Sequence, residues 1–198
     1  MGNISQKKQA LAEQVVRESV YQAVLCVLSE YGLERLTMKE VARAAGIATG
    51  TLYNYFKDKD ALLVYAAEEL FEQLYELQLA VKEKRLKARR KLEEFILTSF
   101  MFFNQNIVYF QFLDQAQVYY KMDISIKRNR VKKEIIVIGQ IIEQGIADGV
   151  FKKVNTRTTA DFFHRAIVGS LCVRPELGDF VPEKEARSLA KMFMMILE

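Results

Sequence analysis

The chain has 198 residues, of which 51% are hydrophobic and 27% charged, with a formal net charge of +4. This composition supports a sizeable core and therefore excludes a chain that is disordered throughout. The chain contains two prolines and nine glycines, which predicts few interruptions of long helices and too few turns for a sheet-rich fold. Composition alone therefore predicts an all-α protein.

The N-terminal sequence and the cysteines indicate a cytoplasmic protein. The first residues are polar and lack the apolar core of a secretory signal, and no apolar run reaches the roughly 18 residues of a membrane span. Cys26 and Cys172 lie in stretches with helical apolar spacing, so we expect two buried, reduced thiols. The mild excess of basic residues is compatible with a nucleic-acid partner but does not require one.

Two helices are predicted first along the chain. Apolar residues at mostly four-residue steps predict an amphipathic helix over Leu11–Tyr31, and Gly32 is suited to end it. Thr37 and Glu40 have the spacing of a capping box, in which each side chain binds a backbone N–H of the first turn. A second, short helix is therefore expected to begin there and to end before Gly46.

A third and a fourth helix follow closely. The third is expected to begin at about Ala48 or Thr49 and to end at Phe56. Asp58 is suited to cap the fourth, which continues to about Val81. The second and third helices, joined by a tight turn with a glycine, form a helix-turn-helix that needs the first helix to bury its apolar faces.

The outward face of the third helix has an unusual composition. Leu52 and Phe56 are expected to point into the core. The outward positions carry hydroxyls, a glycine, an amide and phenols, without a charge: Thr49, Gly50, Thr51, Tyr53, Asn54 and Tyr55. Such groups donate to phosphate oxygens and base edges, and small residues allow a helix to lie deep in the major groove. A protein-binding face on a three-helix scaffold is the alternative.

The run Thr37–Leu62, and within it the pattern T-G-T-L-Y-x-Y-F-x-x-K-x-x-L, resembles the N-terminal signature of TetR/AcrR-family transcriptional regulators. The resemblance covers about residues 11–65, and the rest of the chain resembles the family only in length and helix content. It implies that residues 1–57 form a three-helix module that binds operator DNA as a homodimer. It also implies that residues 58–198 form a helical domain for effector binding and dimerisation, with a connector helix at about 59–81.

The resemblance also implies roles for residues around the helix-turn-helix. Thr37 and Lys39 resemble phosphate and base contacts, Tyr55 and Lys59 resemble contacts to the DNA backbone, and the other outward residues of the third helix resemble groove contacts. A simply solvated side chain is the alternative for Lys39 and for Asn54. Residues 1–60 hold eight Lys or Arg against seven Asp or Glu, so we expect few ionic phosphate contacts and a modest salt dependence.

The segment 92–120 is rich in aromatic residues and neutral amides. Such a composition is typical of an apolar pocket with a few orienting polar groups, and an ordinary aromatic core is the alternative. The residues predicted to line the pocket are Tyr75, Phe100, Phe103, Phe112, Gln115 and Phe163. Asp114 is the only acid between Phe95 and Tyr120, which favours a small, hydrophobic effector that is neutral or anionic.

The last two helices are predicted to dimerise. They are expected over Thr156–Arg174 and Pro182–Glu198, and two copies of the pair would form an isologous four-helix bundle. The residues predicted at the interface are Ala160, Phe163, Ile167, Ser170, Leu189 and Phe193. The operator is then expected to be palindromic. Because the connector helix belongs to both parts of the chain, an effector that moves it would change the spacing of the two recognition helices.

Parts of the sequence are compatible with two other functions. An enzyme or small-molecule carrier would use the aromatic region, but the sequence has no phosphate loop, dinucleotide fingerprint or metal-ligand spacing. His164 is the only histidine and is expected at a helix surface or interface. A membrane-surface protein would use the basic stretch Lys82–Lys91, whose apolar side is thin; a solvated face is expected there. The sequence therefore predicts a TetR-type repressor with no catalytic residue, metal or cofactor.

Overall fold

The computed structural model describes residues 2–173 and 180–198, and every regular element in these ranges is a helix. The helices are α1 (Gly2–Arg35), α2 (Met38–Ala44), α3 (Thr49–Tyr55), α4 (Lys59–Glu83), α5 (Ala88–Gln105), α6 (Ile107–Gln115), α7 (Val118–Lys121), α8 (Ile124–Ala147), α9 (Thr156–Val173) and α10 (Pro182–Leu197). The predicted all-α class is confirmed. Arg174, the predicted end of the ninth helix, lies outside the described residues. None of the helices in the described ranges is long and apolar enough to span a bilayer.

Local chemistry sets the ends of α1 and α2 much as the sequence predicts. Gly32 leaves the helical conformation with φ +73°, which separates the body of α1 from its last residues. At the start of α2 the backbone N–H of Glu40 donates to Thr37 Oγ1 over 3.2 Å. The second half of the predicted capping box is replaced, because the Glu40 carboxylate pairs with Arg43 at 2.6 Å.

The boundaries of α3 and α4 also follow from single residues. Phe56 leaves the helix with an extended backbone and ends α3. Asp58 caps α4, since its Oδ1 accepts from the backbone N–H of Ala61 over 2.8 Å. The predicted order of the four helices is therefore confirmed, but the expectation that the connector is the long one of the four is wrong, because α1 has 34 residues and α4 has 25.

The chain divides into two compact units. The first consists of Met1–Phe71 and Val108–Met122, and the second of Glu72–Ile107 and Asp123–Glu198. Helix α4 contributes its first half to the first unit and its second half to the second. The predicted boundary between residues 57 and 58 divides the chain by expected function, with DNA binding before it and effector binding and dimerisation after it. It does not coincide with the boundaries of the two compact units, and it stays a prediction.

The first unit joins the N-terminal helices to α6 and α7. Its buried apolar residues come from α1 (Val20, Val24, Leu28), α2 (Val41), α3 (Leu52) and α4 (Leu62, Ala66, Leu70). The rings of Phe71 and Phe110 lie 5.8 Å apart and link α4 to α6. Lys121 Nζ donates to Asp60 Oδ1 over 2.9 Å and links α7 to the start of α4.

The second unit is built around one apolar core. The Phe163 and Phe193 rings stack with centroids 3.6 Å apart and join α9 to α10. In α8, Gly145 lies against Phe151, because a Cβ at this position would be 2.1 Å from the phenyl ring. These contacts hold α8, α9 and α10 together with α5 around buried residues such as Phe95 and Ile142.

Both cysteines are exposed and outside disulfide bonds. The expectation that the two thiols are buried is wrong, and the expectation that they are reduced stays a prediction. Cys26 lies between the buried Val24 and Val27 in sequence but points away from them, and its Sγ donates to Glu30 Oε1 over 3.5 Å. Apolar spacing identified the helices correctly but did not identify the side of each helix that is covered.

Candidate nucleic-acid interface

The turn between α2 and α3 requires a glycine. Gly46 has φ +69°, a backbone conformation that residues with a Cβ rarely adopt. The turn is closed by two backbone bonds, from Gly46 N–H to the Arg43 carbonyl over 3.2 Å and from Ile47 N–H to the Ala42 carbonyl over 3.0 Å. These bonds set the direction in which α3 leaves α2.

Helix α3 has one buried side and one open side. Leu52 and the following Phe56 are buried, as predicted, and they fix α3 on the core of the first unit. On the other side Tyr53 is 53% exposed. Gly50 and Asn54 are exposed as well, and Thr49, Thr51 and Tyr55 are half-buried. A Cβ at Gly50 would meet nothing within 4 Å, so the backbone of α3 is open to close approach at this point.

Arg17 of α1 holds the end of α3, a contact that the sequence analysis missed. Its guanidinium carbon lies 5.9 Å from the ring centroid of Tyr55, 5.4 Å from that of Phe56 and 5.5 Å from that of Tyr65. Cation–π attraction of this kind stabilises the packing of α3 between α1 and α4. Burial raises the pKa of Tyr65 well above its usual value. An arginine in a helix with ordinary charge composition gives no sequence signal of this role.

The predicted DNA contacts outside α3 lie at helix starts. Thr37 and Lys39 are exposed at the beginning of α2. Lys59 begins α4, and its ammonium donates to the Leu33 carbonyl over 2.7 Å. One of the three N–H groups of Lys59 is therefore used to anchor α4 to the end of α1. The predicted contacts of these residues with DNA stay predictions.

Several cations of the first unit are engaged within the protein. Arg43 pairs with Glu40, Lys57 lies 3.8 Å from Asp58, and Arg17 covers aromatic rings. Lys39, in contrast, is exposed beside the open face of the helix-turn-helix. The surface therefore offers hydroxyl, amide and backbone groups rather than a dense positive patch.

The residues predicted to bind an effector fall in different units. Phe112 and Gln115 belong to the first unit, where Phe112 lies near Gly32 and Gln115 is exposed. The other predicted residues belong to the second unit: Tyr75, Phe100, Phe103 and Phe163. Phe100 and Phe163 are fully buried, and Tyr75 and Phe103 are partly buried against the same core. The effector-binding role of the six residues stays a prediction.

Two buried polar side chains of the second unit were not predicted. Gln78 of α4 donates from Nε2 to Ser99 Oγ of α5 over 3.0 Å, and the Ser99 hydroxyl donates to the Phe95 carbonyl over 2.9 Å. Gln78 and Ser99 are 2% and 1% exposed. The available sequence signal is a polar residue on the apolar side of each helix, at three or four residues from Tyr75 and Phe103.

The predicted dimer contacts need a correction. Ala160, Phe163, Ile167 and Phe193 are buried in the core of their own chain, so they do not form the outer surface. Ser170 is exposed and Leu189 is half-buried. The exposed apolar residues of α9 and α10 are instead Phe162, Val168, Val173, Met192, Met195 and Ile196. Both helices carry large apolar residues on the outer side as well as on the inner one, and the periodicity alone did not distinguish the two sides.

His164 and Lys91 are less exposed than predicted. His164 is buried, with Nε2 3.3 Å from Glu134 Oε2, so the expected surface position is wrong. Lys91 is buried too, whereas its neighbours Arg89 and Arg90 pair with Glu93 as on an ordinary solvated face. No group of three His, Cys, Asp or Glu residues suited to hold a metal ion is present in the described part of the chain.

Comparison with protein families and curated proteins identifies the same module. Residues 22–66 match the family model described as bacterial regulatory proteins, tetR family. The HTH-type transcriptional repressor KstR2 of Mycolicibacterium smegmatis is 23% identical over 140 residues, which are 69% of this chain and 67% of the relative. The fatty acid metabolism regulator protein of Bacillus subtilis is 28% identical over 138 residues, which are 68% of this chain and 70% of the relative.

Comparison with solved structures extends the likeness in fold to most of the chain. A TetR transcription regulator from Haloarcula marismortui has a TM-score of 0.76 and 21% sequence identity, and it covers 92% of this chain and 98% of its own. The N-terminal helix-turn-helix and the C-terminal helical part therefore both have counterparts in a known regulator fold.

Proposed function

We propose that the chain is a transcriptional regulator of the TetR/AcrR family, and that it is a repressor that binds a palindromic operator as a homodimer and is released by a small hydrophobic effector. In this proposal the chain acts by binding DNA rather than by catalysis. The proposed location is the cytoplasm, where the operator DNA is found.

The observation that carries the proposal is the uncharged open face of α3. Tyr53, Asn54 and Gly50 are exposed on a short helix whose other side is fixed in the core. Threonine, asparagine and tyrosine side chains donate to phosphates and base edges, and the bare backbone at Gly50 allows α3 to lie close to the floor of the major groove. A face that only contacts solvent does not require this combination of hydrogen-bonding side chains and a glycine.

The effector is proposed to be a hydrophobic molecule, neutral or anionic, that binds in the helical part of the chain. The aromatic side chains of the second unit, among them Tyr75 and Phe103, provide an apolar environment for it. The relative from Bacillus subtilis is named for fatty acid metabolism, which favours molecules with an acyl or alkyl chain. An effector acts by binding better to one arrangement of α4 than to another.

Dimerisation is proposed to use the outer apolar surface of α9 and α10. Phe162, Met192 and Met195 are exposed in the single chain, and large exposed apolar patches are typical of interaction surfaces. A twofold axis between two copies would present two α3 helices to half-sites about one duplex turn apart or a multiple of it.

Selection of bound fragments from genomic DNA with the purified protein tests the proposal. We expect enrichment of a palindromic sequence, and loss of binding to it for the double variant Thr49→Ala, Tyr53→Ala. Tyr120→Ala is the matched control, because Tyr120 is 82% exposed on α7 and has no proposed DNA contact. Undiminished affinity of a folded double variant would contradict the proposal.

The salt dependence of operator binding tests the proposed chemistry of the contact. Because residues 1–60 hold eight Lys or Arg against seven Asp or Glu, and Arg17, Arg43 and Lys59 are engaged within the protein, we expect few released counterions. Each neutralised phosphate contributes about 0.9 to the slope of log affinity against log salt. A slope that corresponds to about ten or more phosphates per dimer would contradict a contact made mainly by hydroxyl and backbone donors.

A further inference from the structure

Gln78 places an amide inside the apolar core of the second unit. Its Nε2 donates to Ser99 Oγ, and the Ser99 hydroxyl in turn donates to the Phe95 carbonyl. This chain of bonds fixes the orientation of the amide, since a hydroxyl has a single proton and here it is committed to Phe95. The carbonyl oxygen of Gln78 therefore points away from Ser99.

That oxygen, Gln78 Oε1, is a buried acceptor to which no group in the described part of the chain donates. Buried polar atoms are almost always hydrogen-bonded in folded proteins, and an exception calls for a donor from outside the chain. Gln78 is 2% exposed, so bulk water does not reach it freely. A donor to Gln78 Oε1 must therefore come from a molecule that is enclosed in the protein.

The surroundings of this acceptor match a binding site for an apolar molecule. Tyr75 lies three residues before Gln78 on α4, and Phe103 lies four residues after Ser99 on α5. Helices α4 and α5 are consecutive, are joined by a short connection and are bonded through Gln78 and Ser99. Tyr75 and Phe103 each lie about one helical turn from this bond, and both are only partly buried against the core.

We propose that Gln78 Oε1 is the acceptor that recognises the effector, and that the effector is an uncharged apolar molecule with a hydrogen-bond donor such as a hydroxyl group. The alkyl or aryl body contacts Tyr75 and Phe103 while the donor binds Gln78. The inference rests on the proposed function in one respect, the presence of an effector site in the helical part of the chain.

The charges around Tyr75 favour a neutral molecule over an anionic one. Lys133 Nζ lies 4.9 Å from the centroid of the Tyr75 ring and 3.1 Å from Glu72 Oε1. The positive charge of Lys133 beside Tyr75 is thus already balanced by a carboxylate. An ionised carboxylate has acceptors only and meets the negative end of the Gln78 amide dipole, whereas a hydroxyl donates to it.

Calorimetric titration of the full chain with three probes of equal chain length tests the inference. The probes are octan-1-ol, its methyl ether 1-methoxyoctane, and octanoate. We expect octan-1-ol to bind about tenfold more tightly than the ether, as one neutral hydrogen bond allows, and octanoate to bind no better than the ether. In Gln78→Leu the alcohol and the ether are expected to bind equally.

Gln140→Leu is the matched control, because Gln140 is an exposed glutamine of α8 in the same unit; it should keep the preference for the alcohol. Gln78→Met replaces Gln78→Leu if the leucine variant fails to fold, as judged by thermal denaturation. Equal binding of alcohol and ether to the unaltered chain, a preference that survives in the Gln78 variant, or no binding of either probe would overturn the inference.

A DNA-binding assay with the selected operator separates this inference from the proposed function. A preference for octan-1-ol that depends on Gln78, without any effect of octan-1-ol on operator affinity, supports the Gln78 site and contradicts regulation through it. Release of the operator by octan-1-ol and by the ether with equal potency supports the regulator and overturns the role of Gln78.

Discussion

Gly50 is the residue at which the open face of α3 has no side chain. The space above its Cα is empty within 4 Å, and its backbone φ is compatible with other residues. Folding therefore does not require glycine at this position. Its presence is explained if a second surface, the floor of a DNA groove, comes close to the backbone of α3.

The substitution Gly50→Ala separates the effect of this position on folding from its effect on DNA binding. We expect the free energy of unfolding to stay the same or to rise by up to about 1 kcal/mol, because alanine is the better helix former. Operator affinity is expected to fall by about tenfold, since the methyl group occupies the space that the DNA needs. Thermal denaturation and fluorescence anisotropy with labelled operator measure the two quantities. A variant with unchanged affinity would show that α3 does not approach DNA at Gly50.

The Cys26 thiol provides a pH-dependent prediction. Its hydrogen bond to the Glu30 carboxylate, together with slight desolvation and the negative charge of Glu30, raises the pKa of Cys26 above its usual value. A raised pKa means a smaller thiolate fraction at a given pH, and the thiolate is the reactive form. Alkylation of Cys26 by iodoacetamide should therefore set in at higher pH than for a simple exposed cysteine.

Glu30→Gln should shift the pH profile of Cys26 alkylation to lower pH, because the amide has no negative charge and stabilises the protonated thiol less. Peptide mass spectrometry follows both cysteines in one sample, so Cys172, which is also exposed, is the internal control and should keep its profile. Superimposable Cys26 profiles of the unaltered chain and of Glu30→Gln would exclude the proposed interaction.

At the scale of helices, Gly145 explains how α8 meets the segment that follows it. The buried Phe151 ring folds back on α8 at Gly145, a position without a side chain. Backbone N–H groups of Val150 and Phe151 both donate to the Gly145 carbonyl, each over 2.9 Å. The ring and the helix are therefore fixed against each other from two sides.

Gly145→Ala is expected to lower the free energy of unfolding by about 1–3 kcal/mol, because the added Cβ overlaps the phenyl ring and forces α8 or Phe151 to shift. Gly139→Ala on the same helix is the matched control, since its Cβ would lie 3.6 Å from Thr156 Cγ2, an ordinary contact. Chemical denaturation of both variants compares them directly. Equal stabilities would show that Phe151 relaxes without cost.

Helix ends were predictable from the sequence because they depend on single residues and their immediate neighbours. Thr37, Asp58 and Gly32 act through local hydrogen bonds or backbone conformation, and each was identified correctly. The inner and outer sides of α9 were not identified correctly, because Phe162 and Phe163 are both large and apolar. Only the stacking of Phe163 on Phe193, between residues distant in sequence, decides which of the two is buried.

For the whole molecule, the open face of α3 was predictable, whereas the distribution of the aromatic segment between the two units was not. The face of α3 is one short helix, and its lack of charge is visible in six neighbouring positions. The aromatic segment, in contrast, is divided between units, with Phe103 in the second and Phe112 in the first. Gln78 and Ser99 are paired by tertiary packing, which composition does not report. The residues that line a pocket are set by tertiary packing, so the composition of one segment does not identify them.

The proposed dimer gives the molecule its affinity for a palindrome, because two linked contacts bind far more tightly than one. Met195 is 74% exposed on α10, near Met192 and Ile196 on the same side of the helix. A charge at this position would be buried without a partner in the dimer but would remain in water in the single chain. Met195→Glu is therefore expected to weaken association without lowering the stability of the chain.

Sedimentation velocity should show the unaltered chain as a dimer and Met195→Glu as a monomer at the same concentration. Loss of the second half-site contact is expected to lower affinity for the full operator by about 100-fold, while binding to an isolated half-site stays the same. Val108→Glu is the control, since Val108 is an exposed apolar residue of α6 in the first unit. If Met195→Glu stayed dimeric, the outer surface of α9 and α10 would not be the interface, and the half-site spacing of the operator would have to be set by another part of the chain.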